Sequence, residues 1–204
     1  KDTPVMPVNE IPLRGRHNVA NVLAATAIAS ACGIGVDAMA TAVRSFKAVP
    51  HRLEFVASVD GVTYYSDSIA TTPERTLAGV RSFTEPVVLL LGGREKHLPL
   101  DEMFREVCGR CRALVFFGEA RETLAAVARA TCDAVSQDKR PSLHVVDTLD
   151  DALPVARATA RPGDVVLLSP ACTSFDAYDN FEERGEHFRR LVLDMTSVEG
   201  RSRP

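Results

Sequence analysis

The sequence predicts an α/β fold: a Rossmann-like, mostly parallel sheet with an N-terminal β-hairpin and helices on both faces, preceded by a helical segment. Three observations predict it. Short apolar runs recur from residue 87 onward, helical patterns fill the intervals between them, and a strand-turn-strand pattern precedes the first run. Buried strands that alternate with helices need crossover connections, which place helices over both faces of a parallel sheet.

Residues 1–46 read as helical after an extended, Pro-containing start. His17 to Cys32 is alanine-rich, with Val19, Val22 and Leu23 along one side, and Gly33 stands where a helix C-terminus favours glycine. Asp37 is placed to cap a second helix, in which Met39, Val43 and Phe46 share a face. Two helices without a sheet make a poor domain. This segment is therefore expected to be the trailing end of another domain, with residues 47–196 forming the main one and 197–204 a disordered tail.

From Pro50 the pattern changes. Leu53 to Val59 and Val62 to Ser66 flank Asp60-Gly61, a dipeptide suited to a type I′ turn, so a hairpin is expected. Val87 to Leu91, Ala113 to Phe117, Leu143 to Val146 and Val165 to Leu168 are the buried strands. Pro73 opens one helix. Leu100, Met103, Phe104 and Val107 make the apolar face of another, Leu124, Val127 and Ala128 of a third, and Phe188, Leu191, Val192 and Met195 of the closing helix, roughly Phe181 to Met195.

Composition narrows the function. The 204 residues are 46% apolar, enough for a conventional core, and the formal charge of −3 with both signs interspersed argues against nucleic acid or an anionic membrane as partner. No run approaches the roughly 18 apolar residues of a membrane span, and Lys1 to Asn9 lack the apolar core of a secretory signal, so a cytoplasmic protein is expected. Five cysteines are an odd number, which with no secretion signal argues for reduced thiols rather than a disulfide framework. Cys108 and Cys111 form a CxxC without a second ligand pair, and no metal site is expected.

In a parallel sheet, ligands bind beyond the carboxyl ends of the strands. After Val87 to Leu91 comes Gly92-Gly93-Arg94-Glu95-Lys96, where two glycines allow close backbone approach and a lysine follows. After Val165 to Leu168 comes Ser169-Pro170-Ala171-Cys172-Thr173-Ser174, rich in small hydroxyl side chains and leading toward a helix whose N-terminal amides suit an anion. The hairpin ends in Asp67-Ser68, with Thr71 and Thr72 following. A cation, hydroxyls and amides converging on one edge suit a small carboxylate. Singly, Lys96 reads as a solvated loop lysine, Ser174 as a helix cap and Asp67 as a turn residue; their common place at strand ends favours a site.

These residues carry a resemblance. His17-Asn18-Val19-Ala20-Asn21, Pro50-His51-Arg52, Asp67-Ser68-Ile69-Ala70-Thr71, Leu90 to Lys96, Ser169 to Ser174 and Asn180-Phe181-Glu182-Glu183-Arg184-Gly185 are similar, in order, to motifs of the Mur ligase family, and most to its D-glutamate-adding branch. The resemblance implies an ATP-dependent amide-forming ligase of peptidoglycan synthesis, in which UDP-N-acetylmuramoyl-L-alanine is activated as an acyl phosphate and D-glutamate attacks it. It implies that Asn18, Asn21, Arg52 and Asp67 contact ATP, and that Thr71, Lys96, Ser174 and the backbone of Phe181 hold D-glutamate. Residues 1–46 become the end of a central ATP-binding domain. No GxxxxGK[ST] loop occurs in the chain, so no catalytic residue is assigned to it, and the main ligands of Mg2+ are expected outside it. A monomer acting on small molecules is expected. One departure stands out: Ile69 occupies a position where the family carries lysine, with Arg75 and Arg94 as the neighbouring cations. It leaves open a related ligase for another amino acid. A non-enzymatic Rossmann-like module that binds a nucleotide or amino acid is the alternative from another class.

Overall fold

A computed structural model of the chain describes residues 3–199, without the side chains of residues 138 and 197–199. The described residues divide into two compact units between Val49 and Pro50.

The first unit has two helices, α1 (Arg16–Ala31) and α2 (Val36–Ser45). Gly33, at φ 82°, turns the chain so that the Ile34 amide reaches the Ala29 carbonyl at 3.1 Å, closing α1 as the glycine signal indicated. Asp37 does not cap α2. Gly35 occupies the N-cap and Asp37 lies inside the first turn, where its charge favours the positive end of the helix. Met39 is buried and Val43 half-buried, whereas Phe46 is exposed at the C-cap, and on α1 Leu23 and Ile28 are exposed.

The second unit is a six-stranded sheet in the order β1-β2-β6-β3-β4-β5. β1 (Glu54–Val59) and β2 (Val62–Ser66) form the antiparallel hairpin; Asp60 at φ 50° and Gly61 at φ 77° supply the two positive angles of a type I′ turn. β3 (Val87–Gly92), β4 (Cys111–Phe117), β5 (Ser142–Val145) and β6 (Val165–Ala171) join β2 in parallel. Alternation along each strand feeds two cores. Leu89, Leu91, Leu114 and Phe116 pack with α3 (Pro73–Val80), α4 (Asp101–Arg110) and α5 (Arg121–Cys132) on one face. Val88, Leu90, Val115 and Val166 pack with α6 (Leu149–Thr159) and α7 (Phe181–Glu199) on the other. The expected fold class is the one observed.

Several details differ. α6 fills the interval expected to be helical but carries Pro154 in its interior; a capping box in which Thr148 Oγ1 accepts the Asp151 amide at 3.2 Å starts it. β6 runs three residues past the apolar stretch, because Ser169, Pro170 and Ala171 are as buried as the residues before them. α7 continues to Glu199, into the stretch expected to be a tail, and 200–204 lie outside the described residues. A disulfide joins Cys108 to Cys132, against the expectation from the cysteine count. Its cause is local: α4 and α5 lie side by side and bring the two Cα atoms to 5.3 Å, a separation a disulfide spans. Cys111 opens β4 as a buried free thiol, so the CxxC is not a functional pair.

Candidate functional site

The carboxyl ends of β2, β3 and β6 bring three loops to one edge of the sheet, and Arg184 ties them together. It lies in the first turn of α7 and is fully buried. Its Nε donates to Ser68 Oγ at 3.1 Å, and Nη2 to the carbonyls of Ser68 at 3.0 Å and Cys172 at 3.2 Å. Nη1 donates to the carbonyls of Gly92 at 3.2 Å and Thr173 at 3.0 Å. Burial lowers the guanidinium pKa to about 10, with the charge of Asp176 opposing the shift, so it stays cationic at neutral pH.

The segments thus joined carry the expected amino-acid contacts. Lys96 Nζ donates to Thr71 Oγ1 at 3.0 Å, so two residues singled out separately meet at an exposed position. Arg94 and Thr173 exchange two backbone bonds of 3.0 Å, and Thr173 Oγ1 adds a third to the Arg94 carbonyl, which locks the Lys96 loop to the Ser174 loop. Ser68 Oγ donates to the Phe181 carbonyl at 2.7 Å and anchors the start of α7. Ser174 is buried, its carbonyl accepting the amides of Ala177 and Tyr178. At the start of α7, Asn180 Oδ1 accepts the Glu183 amide at 2.7 Å, so the chain itself occupies one of the amides read as anion donors.

The paired glycines serve the protein's own packing. A Cβ on Gly92 would lie 2.0 Å from the Phe117 carbonyl oxygen, and one on Gly93, at φ 123°, 2.0 Å from that of Thr173. The close approach that the sequence suggested is between neighbouring strand ends.

Asp67 follows β2 and points inward. Oδ1 accepts the Leu53 amide at 3.2 Å and Oδ2 the Ser169 hydroxyl at 3.0 Å. Burial pushes its carboxyl up to about 7, against the two hydrogen bonds and the positive charges of Arg52 and Arg75. Through Leu53 it braces the turn on which His51 and Leu53 hold positive φ and Arg52 is exposed. His51 is buried beneath that turn, 3.7 Å from Glu54 and 3.6 Å from Glu186 of α7. Asn18 and Asn21 belong to the first unit, where Asn21 Nδ2 donates to Asn18 Oδ1 at 3.2 Å and Asn18 Nδ2 to the Arg14 carbonyl at 2.7 Å. Ile69 is half-buried with its amide donated to the His51 carbonyl, and Arg94 is paired with Glu119 at 3.0 Å, while Arg75 is exposed on α3.

Among the described residues no group of three or more His, Cys, Asp or Glu is arranged to hold a metal ion, so no Mg2+ position is assigned to this chain. No described helix is long and apolar enough to cross a membrane. Arg184, Ser169 and His51 are not among the expected site residues, although all three fall within the quoted motifs; nothing in a single sequence marks a charged residue as buried.

The family described as Mur ligase, glutamate ligase domain, matches residues 51–172. The UDP-N-acetylmuramoylalanine--D-glutamate ligase of Acidobacterium capsulatum is 42% identical over 190 residues, covering 93% of this chain and 39% of that protein. The protein of the same name from Roseiflexus sp. is 43% identical over 192 residues, covering 92% and 40%. The chain therefore spans about two fifths of the length of the curated relatives it matches. Among solved structures, the UDP-N-acetylmuramate-alanine ligase of Thermotoga maritima superposes with a TM-score of 0.65 at 15% identity, over 89% of this chain and 39% of that one. The folylpolyglutamate synthase of Mycobacterium tuberculosis, solved with ADP, gives 0.63 at 19% identity, over 87% and 41%. At those identities the two share the fold.

Proposed function

The chain belongs to the Mur ligase family, and from that premise we propose that it is the amino-acid-holding part of a cytoplasmic, monomeric, ATP-dependent ligase that adds D-glutamate to UDP-N-acetylmuramoyl-L-alanine. The observation that carries the reading is the Lys96–Thr71 contact at the carboxyl edge of the sheet, locked through Arg94 and Thr173 to the loop of Ser174. A lysine point charge beside hydroxyl groups suits a small carboxylate.

ATP supplies the activation, as an acyl phosphate of the muramoyl peptide; the residues of this chain bind and orient the nucleophilic amino acid. Lys96 with Thr71 receives one carboxylate, and Ser174 with the backbone at Phe181 receives the other. Arg52, on its braced turn, contacts the nucleotide; in the first unit, Asn18 and Asn21 are nucleotide contacts by the family resemblance. Asp67, whose two oxygens are engaged within the protein, serves the nucleotide by holding that turn. Residues 1–46 are the end of the central ATP-binding domain, and Mg2+ is held by residues outside this chain. Ile69 favours one further possibility, an amino acid other than D-glutamate.

A single assay separates these readings. The full-length protein is incubated with ATP, Mg2+ and UDP-N-acetylmuramoyl-L-alanine plus D-glutamate, L-glutamate, L-alanine or a diamino acid, and phosphate release and product mass are followed. Amide formation with D-glutamate alone is the expected result. Preference for another amino acid would replace the substrate, and no turnover with any would favour the non-enzymatic binding module.

A further inference from the structure

We propose that Arg184 is a positioning residue that sets the spacing of the amino-acid site, an inference that rests on the D-glutamate reading and extends it. Its five hydrogen bonds reach the segments that follow β2, β3 and β6, and its own helix begins at Phe181. Each segment carries one of the ligand contacts: Thr71 lies three residues past Ser68, Lys96 four past Gly92, and Ser174 directly follows Thr173. Backbone bonds join these segments only in pairs, Arg94 with Thr173 and Ala171 with Ala70, whereas the guanidinium bonds to all three at once.

The chemistry explains why arginine is needed. Five donors in a planar fork satisfy four carbonyls and a hydroxyl at once, whereas a lysine ammonium has three donors around one atom and cannot span the same acceptors. All five acceptors are neutral, so the guanidinium charge is not cancelled by a bonded carboxylate. Gly93 makes room for the guanidinium: a Cβ there would lie 2.9 Å from Arg184 Nη1.

The test uses Arg184→Lys in the full-length ligase, with Lys96→Ala as the reference. Arg184→Lys should raise KM for D-glutamate by at least about tenfold while KM for ATP stays within a few-fold, since small misplacement of binding groups is costly. Hydrogen exchange of peptides covering residues 92–97 and 170–176 should accelerate, with strand peptides unchanged. If Lys96→Ala weakens D-glutamate saturation and Arg184→Lys does not, the positioning role is overturned. If neither variant affects D-glutamate saturation but exchange of the two loops accelerates, the ligand reading has failed while the structural link stands. Should Arg184→Lys not fold, Ser68→Ala removes only the hydroxyl between Arg184 Nε and the Phe181 carbonyl; a several-fold rise in KM for D-glutamate alone supports the proposal, and an unchanged KM overturns it.

Discussion

Asp67 and Ser169, 102 residues apart in sequence, meet at 3.0 Å between the ends of β2 and β6, and the same carboxylate accepts the Leu53 amide. This makes Asp67 a joint between two parallel strands and the turn that presents Arg52.

The joint has a pH signature. The folded-state pKa is raised to about 7 from an ordinary value of 3.8, so the native state binds more protons than the unfolded one between those limits. Stability from this group is therefore fully present below the ordinary value and is lost as pH rises toward about 7. Asp67→Asn keeps the shape, with its oxygen facing the Leu53 amide and its nitrogen the Ser169 hydroxyl. Urea denaturation of the variant should show a flatter stability profile between about pH 5 and pH 7, by on the order of 2 kcal/mol across that range. A profile parallel to wild type would mean that Asp67 titrates normally.

Gly93→Ala should destabilise the fold by at least about 2 kcal/mol, because it combines an unfavourable positive φ with a clash against backbone. The added Cβ would lie 2.0 Å from the Thr173 carbonyl oxygen at φ 123°. Thermal unfolding reads the loss directly, and an unchanged melting temperature would show that the two loops are free to separate.

The disulfide is tested by counting thiols. Cys32 is exposed and should react in the native protein, Cys111 and Cys172 only after denaturation, and Cys108 and Cys132 only after reduction. Burial also pushes the Cys111 and Cys172 thiols up to about 12, which suppresses the reactive thiolate. With its ends 24 positions apart in sequence, the bond should contribute about 3 kcal/mol, seen as a lower denaturation midpoint on reduction. Five reactive thiols in the unreduced, denatured chain would refute it.

What the sequence revealed depended on how local the cause was. The Asp60-Gly61 turn was legible because a type I′ turn demands positive φ at two adjacent residues, a requirement written in the dipeptide itself. The strands β3, β4 and β6 were legible because burial on both faces makes them continuously apolar. α6 falls in an interval read as helical, but its apolar face was not named; the cost of Pro154 is offset by the capping box and by the burial of Leu149, Leu153 and Ala156 against the sheet. The role of Arg184 was not legible, since its acceptors come from segments 116, 92 and 12 residues away and exist only once the sheet has assembled. Lys96, Thr71 and Ser174 were picked out by their place after strands and by family resemblance, yet only the assembled edge shows Lys96 bonded to Thr71 and Ser174 buried.

That difference in exposure between Lys96 and Ser174 gives the sharpest kinetic prediction. Lys96 is exposed and its ammonium has donors to spare beyond the bond to Thr71 Oγ1. Loss of a hydrogen bond to a charged group costs about 1.5 to 3 kcal/mol, or roughly tenfold to a few hundredfold in binding. In the full-length ligase, Lys96→Ala should raise KM for D-glutamate by at least about tenfold and leave KM for ATP within a few-fold. Thr71→Val removes the hydroxyl partner while keeping the branched shape, and should cost less than Lys96→Ala. Because the two side chains touch, the double variant should cost less than the sum of the single ones in free energy. Ser174 acts differently: its carbonyl bonds to Ala177 and Tyr178 survive in Ser174→Ala, so a smaller rise is expected there than for Lys96. With Ile69 contributing no charge and Arg94 paired to Glu119, Lys96 has few neighbours able to replace it. D-glutamate kinetics unchanged by Lys96→Ala would remove the carboxylate from this edge of the sheet.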